Sequence, residues 1–134
     1  IPMFYVSYRP LHLYCMRHDS IVHHGFVRDK KVLAFSGLGD NRSFFDLLRS
    51  MGAYVVGEVE FEDHHEYTAE DIRRLRNHAR VDMIITTEKD AVKLERLDVP
   101  ENLFYLAIEA TIRREDEFMD LLVNRLRQDG KYES

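Results

Sequence analysis

The run VLAFSGLGDN at residues 32–41 carries the clearest fold signal in the chain. Four apolar residues, as expected of a short buried strand, lead into a turn that contains two glycines. Apolar residues then recur at helical spacing, and Gly52 favours a left-handed helix end. Asp40 or Asn41 can cap the first turn of that helix. The run therefore predicts a strand, a polar turn and a helix, in that order.

Two further polar clusters follow apolar runs in the same way. EDHH at residues 62–65 follows the second predicted strand, residues 53–61, and TTEKD at residues 86–90 begins where the third predicted strand, residues 81–86, ends. Residues 68–71 resemble a capping box with Asp in the third helical place, and the third cluster contains a Thr and an Asp that can cap a short helix. Parallel strands have all their carboxyl ends at one edge of the sheet, where ligands bind. The three clusters are therefore expected to meet at one site.

The order strand then helix, repeated four times from residue 31, predicts an α/β fold. We expect an open, mainly parallel four-stranded sheet with helices on both faces, a Rossmann-like α/β/α sandwich. The fourth strand is predicted at residues 102–108. The apolar residues of the last two predicted helices are Ala91, Val92, Leu94 and Leu97, then Phe118, Leu121, Leu122 and Leu126.

Residues 1–30 have a different composition from the rest of the chain, rich in aromatic residues and His. Pro10 and residues 17–20 are typical of turns. We interpret this segment as an extended strand or hairpin that forms a connector packed on the edge of the domain. The predicted organisation is a connector at residues 1–30 and an α/β lobe at residues 31–134.

Composition excludes several classes of protein. The chain has 134 residues, of which 45% are hydrophobic and 32% charged, which is typical of a globular domain. A formal net charge of -5 argues against a protein whose main partner is nucleic acid. One cysteine excludes an internal disulfide. No apolar run is long enough to span a bilayer.

Each cluster has a structural and a functional interpretation. Gly37 and Gly39 allow close approach of an anion to the backbone, but a tight turn needs the same residues, and no P-loop ending is present. Asp63 beside His64 is a common acid–base pair, but both side chains could simply be solvated. Lys89 lies against the helix dipole, which favours an anionic neighbour, either a protein carboxylate or a phosphate.

A metal site is a further alternative. His23 and His24 together with residues 63–65 could supply ligands. No segment has HExxH spacing or paired cysteines, so we predict no metal site.

Taken together, the three clusters resemble the C-terminal part of tetraacyldisaccharide 4'-kinase, a family that phosphorylates the lipid A precursor in Gram-negative bacteria. The resemblance rests on VLAFSGLGDN with the two phenylalanines that follow, on FEDHHEYT at residues 61–68 and on TTEKDAVK at residues 86–93. The blocks match in order and spacing, and the resemblance is strongest from Val32 to Leu94.

The resemblance implies a two-lobed kinase at the cytoplasmic face of the inner membrane. Its N-terminal lobe, expected as the partner of this chain, would hold the P-loop, the membrane-binding surface and most contacts to ATP and Mg²⁺. The intact enzyme would transfer the ATP γ-phosphoryl group to the 4'-hydroxyl of tetraacyldisaccharide 1-phosphate. No Walker A sequence is present here, so the chain is expected to be a detached C-terminal lobe that is soluble, cytoplasmic, inactive alone and without its own cofactor.

By the same resemblance, His64 and Asp63 are the catalytic residues, with His64 working with an Asp of the other lobe. The substrate- or phosphate-facing residues are expected to be Gly37, Gly39, Asn41 and Lys89. Glu62 stands where the family usually has Pro, and Asp40-Asn41 where many members have Asn-Pro. Both departures leave the Asp-His pair intact.

Two other functions remain open at this point. The domain could be a non-catalytic lid or docking module that controls lobe closure. It could also be a free-standing small α/β phosphate-binding protein or hydrolase, with Asp63 and His64 as its acid–base pair.

Overall fold

A computed structural model describes residues 4–78 and 80–114, with side chains from Val6 to Ile112. The predicted last helix lies outside these residues. The elements in chain order are β1 (Phe4–Cys15), β2 (Ser20–His23), a 3₁₀ turn (His24–Val27), β3 (Lys31–Ser36), α1 (Asn41–Ser50), β4 (Tyr54–Glu60), α2 (Ala69–Arg76), β5 (Met83–Thr87), α3 (Glu88–Val92) and β6 (Leu103–Arg114).

The described strands form one mixed sheet in the order β2-β1-β6-β5-β3-β4. The pairs β3–β4, β3–β5 and β5–β6 are parallel, so the four predicted parallel strands are present. The pair β1–β2 is antiparallel. Tyr14 stacks on Tyr105, and the Met16 N–H donates to the Leu103 carbonyl, so β1 runs antiparallel to β6.

The sheet therefore has two more strands than the four that were predicted. The expected N-terminal hairpin exists, but it extends the same sheet. The reason is that β6 would otherwise present an unpaired edge, and β1 supplies the backbone partners for that edge.

The helices lie on both faces of the sheet. The β3–α1–β4 connection moves in one direction along the sheet and the β4–α2–β5 connection returns, so right-handed crossovers place α1 and α2 on opposite faces. On the α2 face, Leu33 and Phe35 of β3 pack in one buried cluster with Ile72 and Leu75. Every residue of β3 after Lys31 is buried, as expected of a strand covered on both sides.

The predicted helix ends are confirmed. Asp40 caps α1 by accepting a hydrogen bond from the Ser43 N–H, and Gly52 follows the helix with a φ of +95°. Thr68 and Asp71 form a capping box at α2. These signals are local, so they could be recognised in the sequence without knowledge of the tertiary structure.

Two local predictions were wrong. Helix α3 ends at Val92 instead of continuing to Leu97, because the chain passes into successive turns in which the N–H groups of Leu94 and Leu97 bond carbonyls three residues back. Pro10 lies inside β1 and not in a turn. The strand β2 pairs with β1 only between His12 and Cys15, so Pro10 lies beyond that ladder and its lack of an N–H costs no bond to β2.

The described residues group into two units, residues 10–107 and residues 4–9 with 108–114. The division into a connector at residues 1–30 and a lobe at residues 31–134 stays a prediction. All features of the candidate site lie within residues 10–107. Among the helices that the structure describes, none is both long enough and apolar enough to cross a bilayer.

Candidate functional site

The three polar clusters meet at one edge of the sheet. In the sheet, β3 lies between β4 and β5. The chain therefore passes from β3 to β4 on one side and then returns across β3 to β5 on the other side. Such a reversal of strand order leaves a crevice at the carboxyl ends of the strands. Gly37 follows β3, Thr87 ends β5, and both contact Asp90.

Asp90 is the centre of a buried hydrogen-bond network at this edge. The residue is buried, with only 1% of its surface exposed. Oδ1 accepts hydrogen bonds from the Gly37 N–H at 3.2 Å and from the Tyr67 hydroxyl at 2.9 Å, and Oδ2 accepts from the Thr87 hydroxyl at 2.5 Å. Burial and then the negative charge of Asp90 raise the pKa of Tyr67, so this hydroxyl stays protonated and donates. We call these four residues the Asp90 network.

The predicted glycine turn is closed by this network. An added Cβ at Gly37 would lie 2.9 Å from the Glu62 carbonyl oxygen, so glycine is required for close backbone packing. The Gly37 N–H already binds Asp90. At Gly39 the nearest atom to an added Cβ is Asp63 Oδ2 at 4.0 Å, so this glycine has open space around it. The geometry at Gly37 favours the structural interpretation of the turn.

Asn41 also closes the turn. Its Oδ1 accepts hydrogen bonds from the Ser36 hydroxyl at 2.5 Å and from the Leu38 N–H at 2.8 Å. Those bonds join the end of β3 to the first residue of α1. The amide oxygen of Asn41 is therefore committed to the protein's own backbone and side chains.

The EDHH cluster forms an exposed turn beside the network. The His65 N–H donates to the Glu62 carbonyl at 3.1 Å, which closes the turn. His64 has a φ of +65°, a left-handed conformation that few residues other than glycine adopt. Its side chain is 81% exposed, and Nε2 lies 3.7 Å from Asp63 Oδ2. The turn therefore presents the His64 ring outward.

His65 has the opposite environment. Its Nε2 lies 2.8 Å from Asp71 Oδ2, in the capping box of α2. Its ring stacks on Phe61 with centroids 4.6 Å apart and meets Tyr67 edge-on at 5.0 Å. The sequence left open which imidazole faces the crevice, and the contacts show that His65 is held in the protein while His64 is free to face outward.

Lys89 brings the third cluster to this turn. Its Nζ lies 3.4 Å from Asp63 Oδ1. Desolvation opposes ionisation of Asp63, but the charges of His64 and Lys89 outweigh it, so the pKa of Asp63 lies below its ordinary value. Asp63 is therefore an anion at neutral pH and a partner for a cation.

The histidine pair considered as metal ligands is engaged locally. The rings of His23 and His24 stack with centroids 4.3 Å apart, and His23 Nδ1 accepts a hydrogen bond from the Gly25 N–H. Within residues 4–78 and 80–114, no three His, Cys, Asp or Glu side chains cluster as metal ligands would.

The sequence did not indicate the main structural role of Asp90 or the role of Tyr67. Local spacing predicts only a helix-capping role for Asp90, and its N–H does bond the Thr87 hydroxyl in that way. Its burial against Gly37 and Tyr67 depends on contacts 53 and 23 residues away along the chain. One signal was available: Tyr67 is an aromatic residue in a short polar stretch between a strand and a helix.

Comparison with known proteins assigns the family. The family model described as LpxK, tetraacyldisaccharide-1-P 4'-kinase, matches residues 2–127. A tetraacyldisaccharide 4'-kinase of Halothermothrix orenii is 41% identical over 96 residues, which are 65% of this chain and 25% of that protein. The kinase of Desulfatibacillum aliphaticivorans is 39% identical over 112 residues, 79% of this chain and 30% of that protein.

A solved structure has the same fold. It is the crystal structure of LpxK from Aquifex aeolicus in complex with ATP, with a TM-score of 0.55 and 27% identity. The similarity covers 90% of this chain and 35% of that one. The chain thus spans about a quarter to a third of the length of the proteins it matches. The match of the family model across most of the sequence shows that this chain belongs to the LpxK family of tetraacyldisaccharide-1-P 4'-kinases.

Proposed function

We propose that this chain forms the C-terminal lobe of a tetraacyldisaccharide 4'-kinase. In the intact enzyme it would assist transfer of the ATP γ-phosphoryl group to the 4'-hydroxyl of the lipid A precursor at the inner membrane. The family match supports the activity, and the partial coverage of longer relatives supports a second lobe. The observation that carries the proposal is His64, whose ring is 81% exposed at the edge of the sheet where α/β proteins bind ligands.

His64 is proposed to orient a catalytic carboxylate of the other lobe. Phosphoryl transfer depends mainly on positioning and on a group that takes or orients the hydroxyl proton. An imidazole suits this role because its two nitrogens can bond a carboxylate and a second group at once. Nε2 of His64 lies 3.7 Å from Asp63 Oδ2, which is too long for a hydrogen bond, so this nitrogen stays available to the other lobe.

The described residues do not fit a Mg²⁺ site. No cluster of three metal-ligating side chains occurs within them, and the Gly37 N–H that could meet a phosphate is bonded to Asp90. The proposal therefore assigns Mg²⁺ and most contacts to ATP to the other lobe. It follows that this chain alone should not catalyse phosphoryl transfer.

The direct test is His64→Ala in the full-length kinase that contains this chain. We expect kcat to fall about 100-fold, the order of magnitude typical of groups that handle a proton. KM should stay within about twofold, because the interaction would act in the transition state. His18→Ala is the matched control, since His18 is exposed in the turn between β1 and β2. Wild-type turnover by a folded His64→Ala enzyme would remove His64 from the mechanism.

Two measurements separate this proposal from its alternatives. A lid or docking role predicts that His64→Ala changes kcat and KM together. A free-standing phosphate-binding protein predicts that this chain alone releases or absorbs heat when titrated with ATP and Mg²⁺ or with inorganic phosphate. The C-terminal lobe proposal expects no heat in that titration.

A further inference from the structure

Two lysines, one in α3 and one directly after its end, reach the exposed turn at residues 62–65. Lys89 Nζ lies 3.4 Å from Asp63 Oδ1, and Lys93 Nζ lies 3.3 Å from the His65 carbonyl oxygen. The two lysines are four residues apart, so they project from the same side of the helix. They therefore hold the residues on either side of His64.

Among the described side chains, none anchors the His64 ring in a comparable way. Its ring is 81% exposed, and its ionic neighbour Asp63 lies beyond hydrogen-bond distance at 3.7 Å. Its left-handed φ of +65° is maintained by the backbone around it. The direction of the His64 ring must therefore depend on how firmly Asp63 and His65 are held.

The two lysine contacts connect segments that are distant in the sequence. The bond from Lys93 goes to a partly buried backbone carbonyl, so it fixes the main chain directly. Lys89 donates to the carboxylate of Asp63, which lies 26 residues away along the chain. By contrast, Arg73 and Glu70 pair along one exposed helix and hold no turn in place.

We propose that Lys89 and Lys93 are positioning residues that clamp the turn at residues 62–65 and so direct His64 toward the other lobe. We call this pair the lysine clamp. The inference rests on the proposed function, and it gives Lys89 a role that acts through Asp63 instead of through a substrate phosphate.

The test is a double-mutant cycle on the full-length kinase. Lys89→Ala alone should lower kcat about tenfold and leave KM nearly unchanged. The reason is that a displaced His64 ring would stabilise the transition state less, while no contact that binds the substrate would be lost. In a His64→Ala background, Lys89→Ala should cause no further loss, since the clamp would act only through that ring. Lys89→Arg should restore most of the activity. Lys31→Ala, an exposed lysine at the start of β3, is the control.

The outcomes of the cycle are distinct. If the losses from Lys89→Ala and His64→Ala multiply, Lys89 acts independently and the clamp is overturned. The clamp is equally overturned if Lys89→Ala leaves kcat unchanged while His64→Ala lowers it. A rise in KM for the lipid substrate in Lys89→Ala would assign Lys89 to phosphate binding instead. If His64→Ala itself has no effect, the proposed function fails first.

Amide hydrogen exchange gives a second measurement on the same full-length proteins. The His65 N–H closes the turn by bonding the Glu62 carbonyl. Lys89→Ala and Lys93→Ala should each speed exchange at this amide several-fold, while exchange in β3 and β5 stays unchanged. An unchanged His65 amide in both variants would contradict the clamp.

Discussion

Asp90 and Asp63 lie at the same edge of the sheet and have opposite environments. Asp90 is 1% exposed and accepts hydrogen bonds from three different segments. The Asp63 side chain is 45% exposed and lies beside His64 and Lys89. Asp90 links three segments of the chain, whereas Asp63 lies beside the exposed ring of His64. The comparison shows that one crevice contains a buried carboxylate that links three segments next to an exposed Asp-His pair.

The histidines repeat the contrast within two adjacent residues. His65 bonds Asp71 and packs between aromatic rings, whereas His64 is exposed. Both residues are histidines, so residue type cannot explain their different environments. The difference comes from the turn, which directs the two rings apart.

The largest expected effect is at the buried carboxylate. Asp90→Ala would leave the Gly37 N–H and the hydroxyls of Tyr67 and Thr87 without their acceptor. We expect the free energy of unfolding to fall by about 4 kcal/mol, because each unsatisfied buried donor costs about 1–3 kcal/mol. Urea denaturation measures the loss. Asp98→Ala, at a side chain that is 82% exposed, is the control, and a similar small loss in both variants would contradict the comparison.

The two glycines give the next largest effect. Gly37→Ala should cost about 2 kcal/mol, because the new Cβ would lie 2.9 Å from the Glu62 backbone oxygen and push the turn away. Gly39→Ala should change stability by less than about 0.5 kcal/mol, since the nearest atom is 4.0 Å away. Thermal denaturation of both variants checks the pair. Equal losses would mean that the two glycines have the same role.

Tyr67→Phe tests one bond of the Asp90 network. The ring would still pack against Phe35 and Phe61, but the hydroxyl donor to Asp90 would be lost. We expect a loss of about 1.5 kcal/mol in urea denaturation, as is typical of a hydrogen bond to a charged group. Tyr54→Phe is the control because Tyr54 is 60% exposed. A loss as small as that of the control would show that Asp90 does not need this donor.

Asp71→Asn should have the smallest of these effects and should depend on pH. Desolvation opposes ionisation of Asp71, but hydrogen bonds from His65 and Thr68 outweigh it, so the pKa of Asp71 lies below its ordinary 3.8. Its stabilisation is therefore complete above about pH 4 and is lost as pH falls through the lower folded value. The variant should be about 1 kcal/mol less stable at pH 7, and the difference should shrink below pH 4. Glu70→Gln, whose side chain is 75% exposed, should show no such trend.

The sequence predicted those features that depend on neighbouring residues. The capping box at Thr68, the cap at Asp40 and the positive φ of Gly52 each depend on a few residues in a row. The meeting of the three clusters was also predictable, because parallel strands all end at one edge of the sheet.

Features that depend on distant contacts could not be predicted. The pairing of the hairpin with β6 joins residues 14 and 105. The buried position of Asp90 depends on Gly37 and Tyr67. Which imidazole faces outward is decided by the backbone of one turn, where His64 takes a left-handed φ of +65°. None of these follows from residue type or local spacing alone.

The most direct test is to measure kcat and the free energy of unfolding together for His64→Ala and His65→Ala in the full-length kinase. We expect a crossed result. His64→Ala should lose about 100-fold in kcat and less than about 0.5 kcal/mol in stability, whereas His65→Ala should lose about 1 kcal/mol in stability and little kcat. The reverse pattern, with turnover lost at His65 and kept at His64, would contradict the account.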